Sequence, residues 1–208
     1  MTAPIRPGKI VAVGKNYLDH VREMGGSAPA DEPILFMKPP SAVIGSGDAI
    51  LLPAQSERVD YEGELVAVIG ERMRNVDAAT ALQRVRGFCC GNDVTARDLQ
   101  AKDGQWTRAK GFDTFCPLGG IAEGLDPSDL RITTRVNGEV RQQARTSLLI
   151  TPVGELLAYI SRVMTLDPGD VVFTGTPAGV GPLQEGDVVE VEVEGVPLLR
   201  NPVRRAAA

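Results

Sequence analysis

A chain of 208 residues, 43% of them hydrophobic, is long enough for one well-buried core and short for two. Its formal net charge of -5 argues against a phosphate-backbone binder, which needs a clustered basic face, so no nucleic acid is expected as a partner. No apolar run reaches the length of a membrane span, and the opening "MTAPIRPGKI" lacks the apolar core of a signal peptide, so no membrane is expected and the cytoplasm is the expected compartment.

Aromatic residues make up only 4% of the chain, while 23 Gly and 15 Pro punctuate it, which predicts many short strands and turns. In chain order, a strand is expected at "KIVAVG" (9–14), a short helix at "NYLDHVREM" (16–24), a polar loop at "GGSAPADEP", and strands at "ILFMKP", "AILLP" and "GELVAVIG". A helix fits "NVDAATALQRV" (75–85), with Asn75 as N-cap and Ala78, Ala79, Leu82 and Val85 on one stripe. The run "GFCCGNDVTARDLQ" begins as a buried strand and breaks at Gly91-Asn92-Asp93 before a helical turn. Next, "LRITTRVNGEVRQQA" reads as a hairpin across Asn137-Gly138, "PVGELLAYISRVM" (152–164) as the best amphipathic helix, and "GDVVFTGTP" and "GDVVEVEVEG" as strands. With no repeat, low-complexity tract or linker, residues 1–208 are expected to form one β-rich α+β domain.

Two of these strands carry acids at every second position. In "DVVEVEVEGV" the residues Glu190, Glu192 and Glu194 alternate with valines that mark a buried face, so the acids are expected in solvent. In "RVDYEGELVAVIGERM" the residues Asp60, Glu62 and Glu64 share one face by the same period, but the alternate positions Tyr61 and Gly63 are no clean apolar face, and an almost uniformly apolar run follows. Acids at the mouth of a core need a partner. A hard divalent cation with oxygen ligands is one candidate, and a solvated strand face is the bland alternative.

The single histidine narrows the chemistry. His20 and Glu23 stand three apart on the expected helix and so share a face, either as a surface pair or as a dyad in which Glu23 orients the imidazole to take a proton from water. A Gly-, Ser- and Pro-rich loop follows, as a mobile lid over about residues 16–33 requires. Cys89, Cys90 and Cys116 are an odd set without Cys-x-x-Cys spacing and are expected as small buried residues. The stretches "GSGDAI" and "TGTPAGVGP" lack the Lys-Ser/Thr of a P-loop and the strand-turn-helix setting of a dinucleotide site. No G-x-S-x-G elbow points to serine hydrolysis.

The segments "GKNYLDHVREM", "PILFMKPPSAVIG", "YEGELVAVIG", "GNDVTARDLQ", "WTRAKGFDTFCPLG", "VNGEVRQ" and "FTGTPAGVGP" occur in an order that resembles the fumarylacetoacetate hydrolase family, most closely its small acylpyruvase branch. The resemblance runs from about Lys9 to Asn201 and implies a mixed β-roll or pseudobarrel with a few short helices, and a homodimer. It implies a Mg²⁺ or Mn²⁺ site at Glu62, Glu64 and Asp93, with Asp60 outside the coordinating set. It further implies a lid dyad of His20 and Glu23, a catalytic Lys110, and substrate contacts at Arg97, Gln100 and Thr176. Lys38 is a weaker candidate, because a basic residue at a strand end is usually solvated. The implied activity is metal-dependent hydrolysis of a C–C bond in acylpyruvates, with isomerisation or decarboxylation of dienedioates and oxaloacetate decarboxylation as alternatives, and a non-catalytic oxo-acid binder as a further one. The lid stretch has no aromatic residue to grip a large substrate, which favours compact oxo acids.

Overall fold

The computed structural model describes residues 5–25 and 32–206. Most of the loop expected as a lid, 26–31, lies outside the described residues. In chain order the strands and helices are β1 (Ile10–Gly14), α1 (Leu18–Glu23), β2 (Ile34–Lys38), β3 (Val43–Ile44), β4 (Ile50–Leu52), β5 (Val59–Tyr61), β6 (Gly63–Ile69) and α2 (Ala78–Gln83). They continue with β7 (Val85–Asn92), β8 (Thr95–Ala96), α3 (Arg97–Asp103), α4 (Thr107–Lys110), β9 (Cys116–Pro117), β10 (Arg131–Val136) and β11 (Glu139–Arg145). The last are α5 (Val153–Val163), β12 (Val171–Phe173), β13 (Gly181–Pro182), β14 (Val188–Val193) and β15 (Leu199–Arg205). The architecture is a strand-rich α+β fold, as expected.

One mixed sheet runs in the order β2-β1-β12-β6-β7, and a second in the order β11-β10-β14-β15-β4. A three-stranded sheet, β13-β5-β8, and the pair β3-β9 complete the strand set. The uniformly apolar run after Glu64 follows from the position of β6 inside the first sheet. Leu65, Ala67 and Ile69 face the largest core cluster, which α5 and Val191, Val193 and Leu199 of the second sheet complete, while Val66 and Val68 face a separate cluster with Ile10, Cys89, Cys116 and Phe173. A strand covered on both faces carries no polar alternation.

The hairpin closes as expected across Asn137 and Gly138, whose φ values of 53° and 81° are those of a type I′ turn. Helix α5 lies within one residue of its expected ends, and Leu156, Leu157 and Ile160 point into the main cluster. The three cysteines are buried and free, as expected, and burial raises each thiol, that of Cys90 to about 12. Helix α2 corrects the expectation. Its N-cap is Asp77, whose carboxylate accepts from Thr80 N–H at 2.8 Å, and Asn75 instead takes a left-handed φ of 55°. Its buried residue is Ala81, while Leu82 is exposed and Val85 begins β7. Among the described residues no helix is long and apolar enough to cross a membrane.

Candidate active site

The pairing of β6 with β7 assembles the carboxylates. Glu62 occupies the one-residue break between β5 and β6, Glu64 lies opposite Gly91, and the chain leaving β7 places Asp93 beside Glu62, where Asp93 N–H donates to the Glu62 carbonyl at 2.8 Å. One oxygen from each of Glu62, Glu64 and Asp93 falls within 4.8 Å of the others, and all three residues are buried. Asp60, on the same strand face, is fully buried but turned to other partners: Arg58 grips it through two hydrogen bonds of 2.9 and 3.1 Å, and Arg97 Nε donates to it at 2.9 Å. It stands outside the cluster of three.

Cations face these acids from three separate elements. Lys110, at the end of α4, donates to Glu62 at 2.8 Å and also to Asp93. Arg97, at the start of α3, spans Asp60 and Glu62 and donates to Gln100 Oε1 at 2.7 Å. Lys38 is not solvated: its side chain is 0% exposed and its ammonium donates to Asp93 and to the Val94 carbonyl at 3.2 Å. The reason is position, because β2 ends against the buried mouth of β7 rather than at the surface. Lys38, ranked low as a solvated strand end, is thus a buried partner of Asp93, and Arg58 is a partner that the sequence did not place.

The charges explain the titration of the group. Burial pushes the Glu62 carboxyl up, but Lys110 and Arg97 beside it outweigh burial and hold it below the usual range. Burial also works against the Lys110 ammonium, yet Asp93 and Glu62 raise its pKa, so it stays a cation at neutral pH. Glu64 is different. Burial first, then Asp93 and Glu62, push it well above the usual carboxylate range, with only the Gly175 backbone N–H and the charge of Lys110 acting the other way. Three hard oxygen donors converging at this spacing, one of them short of positive charge, fit a Mg²⁺ or Mn²⁺ ion. Once Glu64 ionises on an ion, the four carboxylates Asp60, Glu62, Glu64 and Asp93 balance the four cations Lys38, Arg58, Arg97 and Lys110, so a bound divalent ion would leave two positive charges, the complement of an anionic ligand.

A cavity of about 90 Å³ opens over this cluster and is lined by His20, Glu62, Glu64, Asp93, Arg97, Gln100, Lys110 and Thr176, so residues expected at the site meet in one place. Its far wall is apolar, built from Val13, Val21, Met24, Phe36 and Trp106. The aromatic surface of the cavity comes from β2 and from the residue before α4, with Phe36 and Trp106 edge to face at 5.2 Å. His20 is buried, and its Nδ1 lies 3.5 Å from Glu23, at the long end of hydrogen-bond range. Thr176 Oγ1 donates to the Gly63 carbonyl at 3.0 Å and accepts from Gln142 at 2.8 Å, so the hydroxyl expected to contact substrate also fixes the strand beside Glu62 and Glu64.

Known proteins are similar to this chain over nearly its whole length. A protein of Archaeoglobus fulgidus is 61% identical over 95% of this chain and 79% of its own length. A mitochondrial oxaloacetate tautomerase of Bos taurus is 44% identical over 97% of this chain and 68% of its own. The crystal structure of a 5-carboxymethyl-2-hydroxymuconate delta-isomerase from Mycobacterium smegmatis superposes with a TM-score of 0.92 at 55% identity, covering 99% of this chain and 82% of that one. A fumarylpyruvate hydrolase from Pseudomonas aeruginosa, solved with Mn²⁺ and pyruvate, superposes with a TM-score of 0.91 at 35% identity, covering 96% and 91%. The family described as fumarylacetoacetate (FAA) hydrolase C-terminal matches residues 9–204, and the chain belongs to it.

Proposed function

We propose that the protein is a Mg²⁺- or Mn²⁺-dependent hydrolase that cleaves the C–C bond of acylpyruvate-type 2-oxo acids, giving pyruvate and a carboxylic acid. The observation that carries this reading is the single buried histidine sharing one small cavity with three converging carboxylates. When bound, the ion supplies Lewis acidity to an oxygen-donor ligand. The chain's own residues do the rest. Arg97 and Gln100, already bonded to each other, present donors to a substrate carboxylate or carbonyl. His20, oriented by Glu23, takes a proton from water as the water oxygen attacks the distal acyl carbonyl. The C–C bond then breaks with its electron pair left on the pyruvate carbon, and the proton held by His20 returns to that carbon. Lys110 stays charged and stabilises developing negative charge as a fixed cation rather than as an acid. The apolar wall of Val21, Met24, Phe36 and Trp106 excludes bulk water from the acyl end.

A second reading is isomerisation or keto–enol tautomerisation of a 2-oxo acid, favoured by the higher identity to the tautomerase and the isomerase than to the hydrolase. It uses the same base without a nucleophilic water. A panel of acylpyruvates, dienedioates and oxaloacetate, assayed with Mg²⁺ and Mn²⁺ and then with chelator, separates the two. Metal-dependent release of pyruvate from an acylpyruvate is expected, and His20→Ala should lower it by roughly 10² to 10⁴. Ketonisation of oxaloacetate with no pyruvate released from any acylpyruvate would replace the hydrolase by the second reading.

A further inference from the structure

The motif "TGTPAGVG" (174–181) is explained as a nucleotide loop by nothing in the fold, and Thr176 alone does not account for its glycines. Its backbone touches the site at two points. Gly175 N–H donates to Glu64, and Gly179 N–H donates to both oxygens of Glu23 at 3.1 Å each. The same loop holds the start of the helical segment, because Asn16 Nδ2 donates to the Thr174 carbonyl at 2.8 Å and to the Thr151 carbonyl at 3.1 Å. Asn16 and Glu23 lie on either side of His20 in sequence, so both ends of the segment that carries the imidazole are tied to this one loop.

The backbone required for these contacts admits only glycine. Gly179 has a φ of +100°, a side chain there would overlap the Arg141 carbonyl, and its own carbonyl accepts from Tyr61 Oη at 2.8 Å. Gly175 has a φ of +107°, and a Cβ would stand 2.7 Å from the side chain of Asn16. The Glu23 contact with Gly179 is also shorter than its 3.5 Å separation from His20, so in this structure the loop, not the histidine, fixes where the Glu23 carboxylate sits.

We infer that loop 174–181 is a two-point clasp in which Gly175 positions Glu64 and Gly179 is a positioning residue for the His20–Glu23 pair, which keeps the proton-transferring imidazole aligned with the carboxylate cluster. The inference rests on the assignment of that pair and that cluster to the site. The two points are separable because each amide serves a different carboxylate, which gives the clasp its test.

His20 is the only histidine in the chain, so the imidazole signals in a nitrogen-15 spectrum of the whole protein report on it alone. Gly179→Ala should shift these signals in metal-free protein, leave Mn²⁺ affinity by calorimetry within about threefold, and lower kcat on the order of 10²-fold, as displacement of a catalytic group by about 1 Å does. Gly175→Ala should weaken Mn²⁺ affinity by roughly 10- to 100-fold, as loss of a ligand-orienting partner does, and should also shift the imidazole signals, because its Cβ meets Asn16 at the other end of the His20 segment. Hydrogen exchange supplies a measurement that needs neither glycine variant to fold: in Glu23→Ala the Gly179 amide should exchange at least about tenfold faster than in the wild type. Unchanged Gly179 exchange in Glu23→Ala overturns the proposal, as does any pattern in which the two glycine variants change Mn²⁺ affinity alike. If no 2-oxo acid is turned over, the proposed function fails while the imidazole, exchange and affinity readouts still decide the clasp.

Discussion

Residues 60–64 and 190–194 carry acids at the same period of two, yet one set ends in the core and the other in solvent. On β14 the valines 189, 191 and 193 are buried, and the glutamates between them are half-buried or exposed, with Glu192 paired to Arg135 and Glu190 to Arg200 across neighbouring strands. From β5 through β6 every residue is buried, Asp60 is matched by Arg58 and Arg97 and Glu62 by Arg97 and Lys110, while Glu64 accepts from the Gly175 N–H. Alternation therefore says that side chains share a face but not that the face is wet. What distinguishes the two stretches is what lies opposite: a clean row of valines in one, Tyr61 and Gly63 in the other. Gly63 is small for a packing reason, since a Cβ there would run into Thr134.

The largest effect expected from this contrast is on metal binding and activity. Glu62→Gln, Glu64→Gln and Asp93→Asn each remove a charged oxygen donor, so each should abolish measurable Mn²⁺ binding by calorimetry and metal-dependent turnover, a loss beyond the 10- to 100-fold typical of outer-shell partners. Glu190→Gln and Glu192→Gln should leave both at the wild-type level. A variant of Asp93 that still binds Mn²⁺ with full affinity would remove it from the ligand set.

Next in size is a stability effect at Asp60, which shares the buried strand face but not the cluster of three carboxylates. Asp60→Asn deprives Arg58 and Arg97 of their shared carboxylate and leaves Arg97 poorly compensated in the interior. Breaking a buried pair from one side costs about 3 to 5 kcal/mol, and the lower end applies because the Arg58 side chain is 52% exposed. Urea unfolding of metal-free protein measures it, and a loss below about 1 kcal/mol would show that the Arg97–Glu62 contact carries the guanidinium alone.

These outcomes bear on how far the chain can be read without coordinates. That Glu62, Glu64, Asp93, His20 and Lys110 meet at one cavity was legible from motif order, and the strands were legible where period and turn chemistry agree, as at Asn137-Gly138. Lys38 was misjudged because nothing local distinguishes a strand-end lysine in solvent from one driven against Asp93 by the packing of β2. The cap of α2 was misplaced from Asp77 to Asn75, although Asp77 with Thr80 three residues on was a readable capping pattern. Phe36 and Trp106 could not be joined to the cavity from sequence, since they come from segments about 70 residues apart and meet only when β2 packs against α4.

A smaller effect concerns pH. Glu64 has a folded pKa well above its ordinary 4.5, so it favours the folded state below about pH 4.5, and that contribution is lost as pH rises through the raised value. Glu64→Gln cannot ionise and escapes the loss. In metal-free protein the Tm of Glu64→Gln relative to wild type should therefore rise with pH, by about 2 °C or more between pH 4.5 and 8 for a chain of this size. Glu62, whose pKa is lowered, works in the opposite sense but is present in both proteins. Saturating Mn²⁺ should stabilise the wild type and not the variant. A Tm difference that stays flat with pH would mean that Glu64 titrates alike in the folded and unfolded chain, its burial offset by the Gly175 N–H and Lys110.

The smallest effect belongs to the exposed acids, and its smallness is the point. Arg135 and Glu192 lie 2.6 Å apart but with side chains 30% and 47% exposed, and Arg200 and Glu190 are 3.2 Å apart at 56% and 24%. Such pairs gain little Coulomb energy in high dielectric and are screened by salt, so each contributes about 0.2 to 1 kcal/mol. The double variant Glu190→Gln with Glu192→Gln should lower Tm by no more than about 4 to 6 °C at low salt, less at 0.5 M NaCl, where screening has already weakened the wild-type pairs. The valines on the opposite face should hold the strand in register throughout, because register is set by the buried side. A salt-independent loss larger than this would show that the face treated as solvated is covered by something else, and the distinction between the two acidic stretches would then rest on the carboxylate cluster alone.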